Sequence, residues 1–250
     1  MPRKILIWLS CLLFIQPLYS VAKDDIAVEL KVVASINPLL QYPDQGENKG
    51  PTIGILNAIL AEAQLKASVV FMPWARAFSI AESHPNTIIL SMIRTPERED
   101  NFYWIIKVSK PARVFISLES HTENYVDTIE QAKKKLIAVI LNSAEHKELI
   151  TAGFSEKNNL YIVSSREQMV KLLANGRVDL IYTDPNNARV QLQAINKPNI
   201  AIHYKKITMK NQRTSYIALN KDTDKAIAQR LQQAADKFVK TPEYGYLLAN

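Results

Sequence analysis

Apolar positions along the chain follow two alternating rhythms. Short, nearly unbroken apolar runs at residues 30–36, 68–71, 87–92 and 113–118 predict strands. Between them, Ile53, Leu56, Ile59, Leu60 and Ala63 give a helical period over 52–65, and 74–83 reads as a second helix. The second half repeats the theme, with strands at 136–141, 160–164 and 178–182 and a helix at 143–153. A further helix has its own punctuation. Ser164 and Glu167 stand at capping-box spacing, Met169, Leu172 and Leu173 form the apolar face, and Gly176 is the stop. Pro185 suits the first turn of the next helix. Strands at 200–207 and 215–219 and a long helix over 222–239 close the pattern. Strands alternating with helices predict an α/β architecture with largely parallel sheets. No internal repeat or flexible linker interrupts it, so two α/β halves joined by short crossings fit better than two separate beads.

The first 22 residues stand outside this pattern. Arg3 and Lys4 precede an apolar run over 5–18, and Ser20-Val21-Ala22 offers small residues for cleavage. This is the layout of a secretory signal peptide. The run is about 14 residues, against roughly 20 for a bilayer span, and it contains Pro17. The one cysteine, Cys11, lies within it, so the exported chain is expected to rest on a core and not on disulfides.

Removal of the leader leaves 228 residues, enough for two lobes of ordinary size, with 29 basic and 24 acidic residues. The basic excess is scattered apart from short clusters such as Lys133-Lys134-Lys135 and Lys205-Lys206. These read as solvated faces, and no nucleic-acid partner is expected. Four histidines occur, none at metal-ligand spacing. There is no G-x-S-x-G elbow, and six glycines in this arrangement form neither a Walker A loop nor a dinucleotide fingerprint. Glu145-His146, at a helix start, is the best catalytic candidate, and a solvated helix end explains it equally. No cofactor, no metal and no enzymatic activity are expected, although a few proteins of related architecture are dehydratases or lytic enzymes.

Two charged residues at strand ends organise the remaining chemistry. Arg98 follows the 87–92 strand in Thr95-Pro96-Glu97-Arg98, and Asp184 follows the 178–182 strand. In α/β folds clefts form beyond the carboxyl ends of strands. A fixed cation and a fixed anion on facing walls could clamp a zwitterion. Read alone, Arg98 could be a surface ion-pair member beside Glu97, Glu99 and Asp100, and Asp184 a helix cap.

Thr95-Pro-Glu-Arg98 followed by Phe102 resembles the T-x-x-R…F segment of family-three bacterial solute-binding proteins. Gly176-Arg-Val-Asp179, with Asp184 five positions on, resembles that family's G-R-x-D-x-x-x-x-D. Pro73-Trp74-Ala-Arg76-Ala77 is similar to a segment of many less-characterised members. The resemblance implies a two-lobed, type II periplasmic-binding-protein-like fold, with the ligand cleft between lobes joined by a two-segment hinge near 110–113 and 206–213. Lobe 1 would comprise 23–111 plus 208–250, and lobe 2 would comprise 112–207. Arg98 would take the ligand carboxylate through its planar fork, and Asp184 the ammonium. Ser91 and Thr95 would add polar contacts, and Ser143 would cap a helix whose N–H groups favour a carboxylate. Trp74 and Tyr42 would be aromatic walls. Asp179 reads as structural. The implied protein is a periplasmic monomer that delivers a small zwitterion, an amino acid or similar, to an ABC-type inner-membrane permease or a sensor. The chain departs from the family pattern at Ser83-His-Pro-Asn86, at Gly54-Ile-Leu-Asn57, and at Asn142, where the family has glycine.

Overall fold

The structure, a computed structural model, describes residues 29–207 and 214–249. The expected leader and most of the second hinge segment lie outside the described residues. The first half runs β1 (Glu29–Ala34), β2 (Tyr42–Asp44), β3 (Glu47–Lys49), α1 (Pro51–Glu62), β4 (Lys66–Phe71), α2 (Trp74–Ser83), β5 (Thr87–Ile93) and β6 (Phe102–Ser109). The chain continues through β7 (Val114–Leu118), α3 (Ile129–Ala132), β8 (Ile137–Ile140), α4 (Ala144–Thr151), β9 (Leu160–Val163), α5 (Arg166–Ala174), β10 (Leu180–Thr183), α6 (Pro185–Ala194) and β11 (Ile202–Lys205). It ends in β12 (Ser215–Asn220), α7 (Lys225–Phe238) and α8 (Pro242–Ala249).

Two sheets result, in the orders β4-β1-β5-β12-β6 and β11-β7-β10-β8-β9. The chain therefore leaves the first sheet after β6, builds the whole of the second, and returns as β12. The expectation of largely parallel sheets is corrected. β4, β1 and β5 are parallel, but β12 is antiparallel to both β5 and β6. In the second sheet β10, β8 and β9 are parallel, and β7 is antiparallel to β10 and β11. β12 in the first sheet and β7 in the second run against their neighbours, so each sheet is mixed.

Burial explains the element types. β5 and β8 are central strands covered on both faces, hence their unbroken Ile-rich runs. β4 is an edge strand with alternating exposure. Ile53, Ile55, Leu56 and Ile59 of α1 pack in one core with Leu231, Ala234 and Ala235 of α7. A second cluster draws on both sheets, joining Trp74, Phe78, Met92 and Phe102 to Ile116, Ala138 and Ile140. The lobes thus meet through continuous apolar packing as well as through polar contacts.

Several details depart from expectation: β2, β3, α3 and α8 were not expected, and two further differences concern β6 and α5. β6 was not anticipated, although its Phe-Tyr-Trp-Ile-Ile run is of the same unbroken apolar kind as the expected strands. The cap of α5 is Ser165, whose Oγ accepts from the Gln168 N–H at 3.1 Å. Gln168 in turn accepts from the Ser164 N–H at 3.1 Å, so the cap sits one residue later than the Ser164–Glu167 spacing suggests. Among the described residues no helix is long and apolar enough to cross a membrane, and no cluster of His, Cys, Asp and Glu side chains is placed to hold a metal ion.

Candidate functional site

Pro96 opens a 3-10 turn, Pro96–Asn101, directly after β5, and this turn aims Arg98 inward. The Arg98 side chain is buried, with the residue 1 % exposed. Its guanidinium lies 4.6 Å from the Phe78 ring centre and 5.6 Å from that of Trp74. Nη1 donates to the Ile93 carbonyl at 3.1 Å, and Nη2 to the Asn142 carbonyl at 3.2 Å. Within the same charged run Arg94 and Glu99 pair at the surface.

Asn142 belongs to the second sheet's side of the gap. Its φ of 56° is left-handed, a conformation that glycine adopts freely and asparagine tolerates. This accounts for asparagine where the resembling family has glycine. The same Asn142 carbonyl also accepts from Trp74 Nε1 at 3.1 Å. Next along the chain, Ser143 Oγ accepts from the His146 N–H at 3.0 Å and caps α4. A helix start of this kind presents N–H groups to an anion.

Asp184 does cap α6, accepting from the Asn186 and Asn187 N–H groups at 2.8 and 3.3 Å. Its other oxygen accepts from the Ala112 N–H in the first crossing, at 2.7 Å. The carboxylate is thereby fixed to the segment that joins the sheets. Ser91 is turned by a bulge: Leu90 and Ser91 on β5 face Ile217 alone on β12, and Ser91 has a φ of 54°. Its Oγ donates to Gln41 Oε1 at 2.7 Å.

One cavity gathers these groups. Trp74, Ser91, Arg98, Ser143 and Asp184 all line it. Thr95 and Tyr42 do not. Thr95 is buried, and its Oγ1 has no hydrogen-bond partner among the described residues. Tyr42 sits on the β2–β3 hairpin. Gln41 turns inward there, to Ser35 and Ser91. Asp179 is structural, accepting from the Leu136 N–H at 2.8 Å.

No protein-family model and no curated protein matches this chain. Solved structures do match. A histidine kinase sensor domain described as similar to periplasmic binding proteins superposes with a TM-score of 0.75 at 14% identity, over 87% of this chain and 93% of its own. A mutant of ArgBP from T. maritima gives 0.73 at 16%, over 88% and 93%. The arginine-, lysine-, histidine-binding protein ArtJ from Geobacillus stearothermophilus gives 0.73 at 16%, over 87% and 93%. The chain has the two-lobed fold of the type II periplasmic binding proteins.

In this binding-protein fold the cavity also holds charged residues that the motifs did not flag as ligand contacts. Glu145 and Arg166 line it. Glu145 is not a solvated helix end, since it lies 3.4 Å from Nε of the buried Arg113. Burial works to raise its carboxyl pKa, but Arg113, a backbone hydrogen bond, Arg166 and Arg98 together hold it below the ordinary carboxylate range. Arg113 also donates to Glu148 at 2.7 Å, and both carboxylates outweigh the burial that would lower its pKa. Burial lowers the Arg166 guanidinium, opposed by Glu145. Arg166 crosses the gap, donating to Ser35 Oγ at 3.2 Å. His146 is buried too, accepting from the Asn142 N–H at 3.3 Å. Position was the available signal for Glu145 and Arg166. Each lies in the first turn of a helix that follows a parallel strand, β8 or β9.

Proposed function

We propose that this protein captures a small zwitterion, an amino acid or a close relative, in the cavity between its lobes, and releases it unchanged. The observation that carries this is that Arg98 and Asp184, from different sheets, line the same cavity beside the Ser143 helix start. Arg98 supplies a fork for a carboxylate and Asp184 a fixed anion for an ammonium. Micromolar capture needs about 8 kcal/mol net, within reach of charge-assisted hydrogen bonds in an enclosed cleft, where low dielectric strengthens them.

The lobes in this reading are 23–111 plus 208–250 and 112–207, hinged at the two crossings. The assignment follows sheet membership, which changes between β6 and β7 and again between β11 and β12. The protein acts as a monomer in the periplasm after loss of its leader, and the closed lobes present their faces to an ABC-type permease. Substrate-binding proteins of amino acid ABC transporters among its structural neighbours support uptake. A sensing role has one observation in its favour, the superposition on a histidine kinase sensor domain.

The test is a thermal-shift screen of amino acids, polyamines and small organic acids on the purified protein, followed by calorimetry. Amino acids are expected to raise the melting temperature and to bind one per chain with no product formed. If only compounds lacking an ammonium or a carboxylate raise it, the zwitterion reading is wrong.

A further inference from the structure

Past Trp74 the charged cavity adjoins a second space of about 240 Å³. The two share Trp74, Ile140 and Arg166 as walls. Ile36, Phe71, Met72 and Pro73 line the rest of the second space beside five polar residues, Glu167 among them, and its surface as a whole is chiefly apolar. A dry cavity of about 150 Å³ accommodates a benzene ring, so an aromatic side chain has room here.

The geometry points to this second space as the side-chain subsite for an aromatic α-amino acid whose charged head lies between Arg98 and Asp184. The inference rests on the zwitterion reading of the first cavity. The shared walls carry it. Trp74 offers a ring face for stacking. Arg166 offers a planar guanidinium, which an aromatic face attracts more strongly as water is excluded. The apolar residues beyond gain from covering the rest of the ring.

Arg166 also argues against a basic side chain. A lysine or arginine tail entering this space would meet that cation. The acids nearby are already engaged, Glu167 with Lys171 and Glu145 with Arg113. Burial already disfavours the charge on Arg166, so a second cation beside it is costly. A glutamate side chain would meet Arg166 but leave the apolar walls uncovered.

Calorimetry of the purified protein with phenylalanine, tyrosine, tryptophan, alanine, arginine and glutamate tests this. At least one aromatic amino acid is expected to bind ten times more tightly than alanine, with arginine and glutamate no tighter than alanine. Equal affinity for aromatics and alanine, or a preference for arginine or glutamate, overturns the aromatic subsite and leaves the zwitterion site standing. Binding of none of the six overturns both. Ile36→Asp places a charge in the subsite at a position 49 % exposed, where the fold tolerates it. It is expected to weaken binding of the preferred aromatic acid at least tenfold, and unchanged affinity overturns the proposal.

Discussion

Arg98 and Trp74 both donate to the carbonyl of Asn142, so one backbone oxygen of the second sheet's side ties down two side chains of the first. The contact joins a candidate ligand-binding cation to the closure of the lobes. Whatever pulls on Arg98 also pulls on that closure.

Arg98→Lys keeps the charge and removes the fork. Ligand affinity is expected to fall at least tenfold, about 1.4 kcal/mol or more, because one ammonium cannot make two parallel bonds to a carboxylate. Calorimetry reads this, and wild-type affinity in the variant would remove Arg98 from carboxylate recognition. The lysine is preferable to alanine, since truncating so deeply buried a side chain would unbalance the lobe contact itself.

Trp74→Phe keeps an aromatic ring near Phe78 and deletes the indole N–H. The Asn142 carbonyl retains Arg98, so the expected loss is that of a single hydrogen bond, about 0.5–1.5 kcal/mol in denaturant unfolding. A loss of several kcal/mol would mean that ring packing, not the N–H, dominates at this position.

Asp184→Asn separates two roles. Asparagine is as good a helix cap as aspartate, so α6 keeps its cap, but the amide has one acceptor oxygen where both carboxylate oxygens accept, so the tie to the Ala112 N–H is lost and stability is expected to fall by about 1–3 kcal/mol. Affinity for amino acids should also drop tenfold or more, because the anion facing the ammonium is gone. Full affinity in this variant would point to a ligand without an ammonium.

Glu145 makes stability depend on acid. Burial would raise its folded pKa, but Arg113 holds it below the ordinary glutamate range. The stabilisation is therefore complete above that range and lost as pH falls through the folded pKa. Glu145→Gln should flatten the decline in melting temperature below about pH 4.5. An acid limb identical to wild type would show that Arg113 draws its compensation from Glu148 alone.

Much of the fold was readable along the chain, for local reasons. The boundaries of α2 match the expected 74–83 because apolar spacing and the flanking Pro73 act within a few residues. Pro185 begins α6 as its fixed φ suggests. Ser165 displaced Ser164 as a cap because adjacent serines offer equivalent oxygens, and the backbone around them decides which one is used.

The strand-end charges Arg98 and Asp184 were visible in sequence as two fixed ions that could share a cleft. Tyr42 does not line the cavity, and what the sequence could not show is that its neighbour Gln41 is the residue drawn inward, by Ser91 fifty positions away. Glu145 and Arg166 carried no sequence signal beyond their places at helix starts. What makes them part of the site is burial beside Arg113 and reach to Ser35, and neither follows from residue type.

The linear pattern by itself determined most of the longer elements and where the two ions stand relative to them, because periodicity, caps and turns are interactions between near neighbours. Tertiary structure alone decided which groups meet across the gap. Asn142 lies 44 residues from Arg98 and 68 from Trp74. Only the excursion of the chain through a second sheet and back brings them within hydrogen-bonding reach.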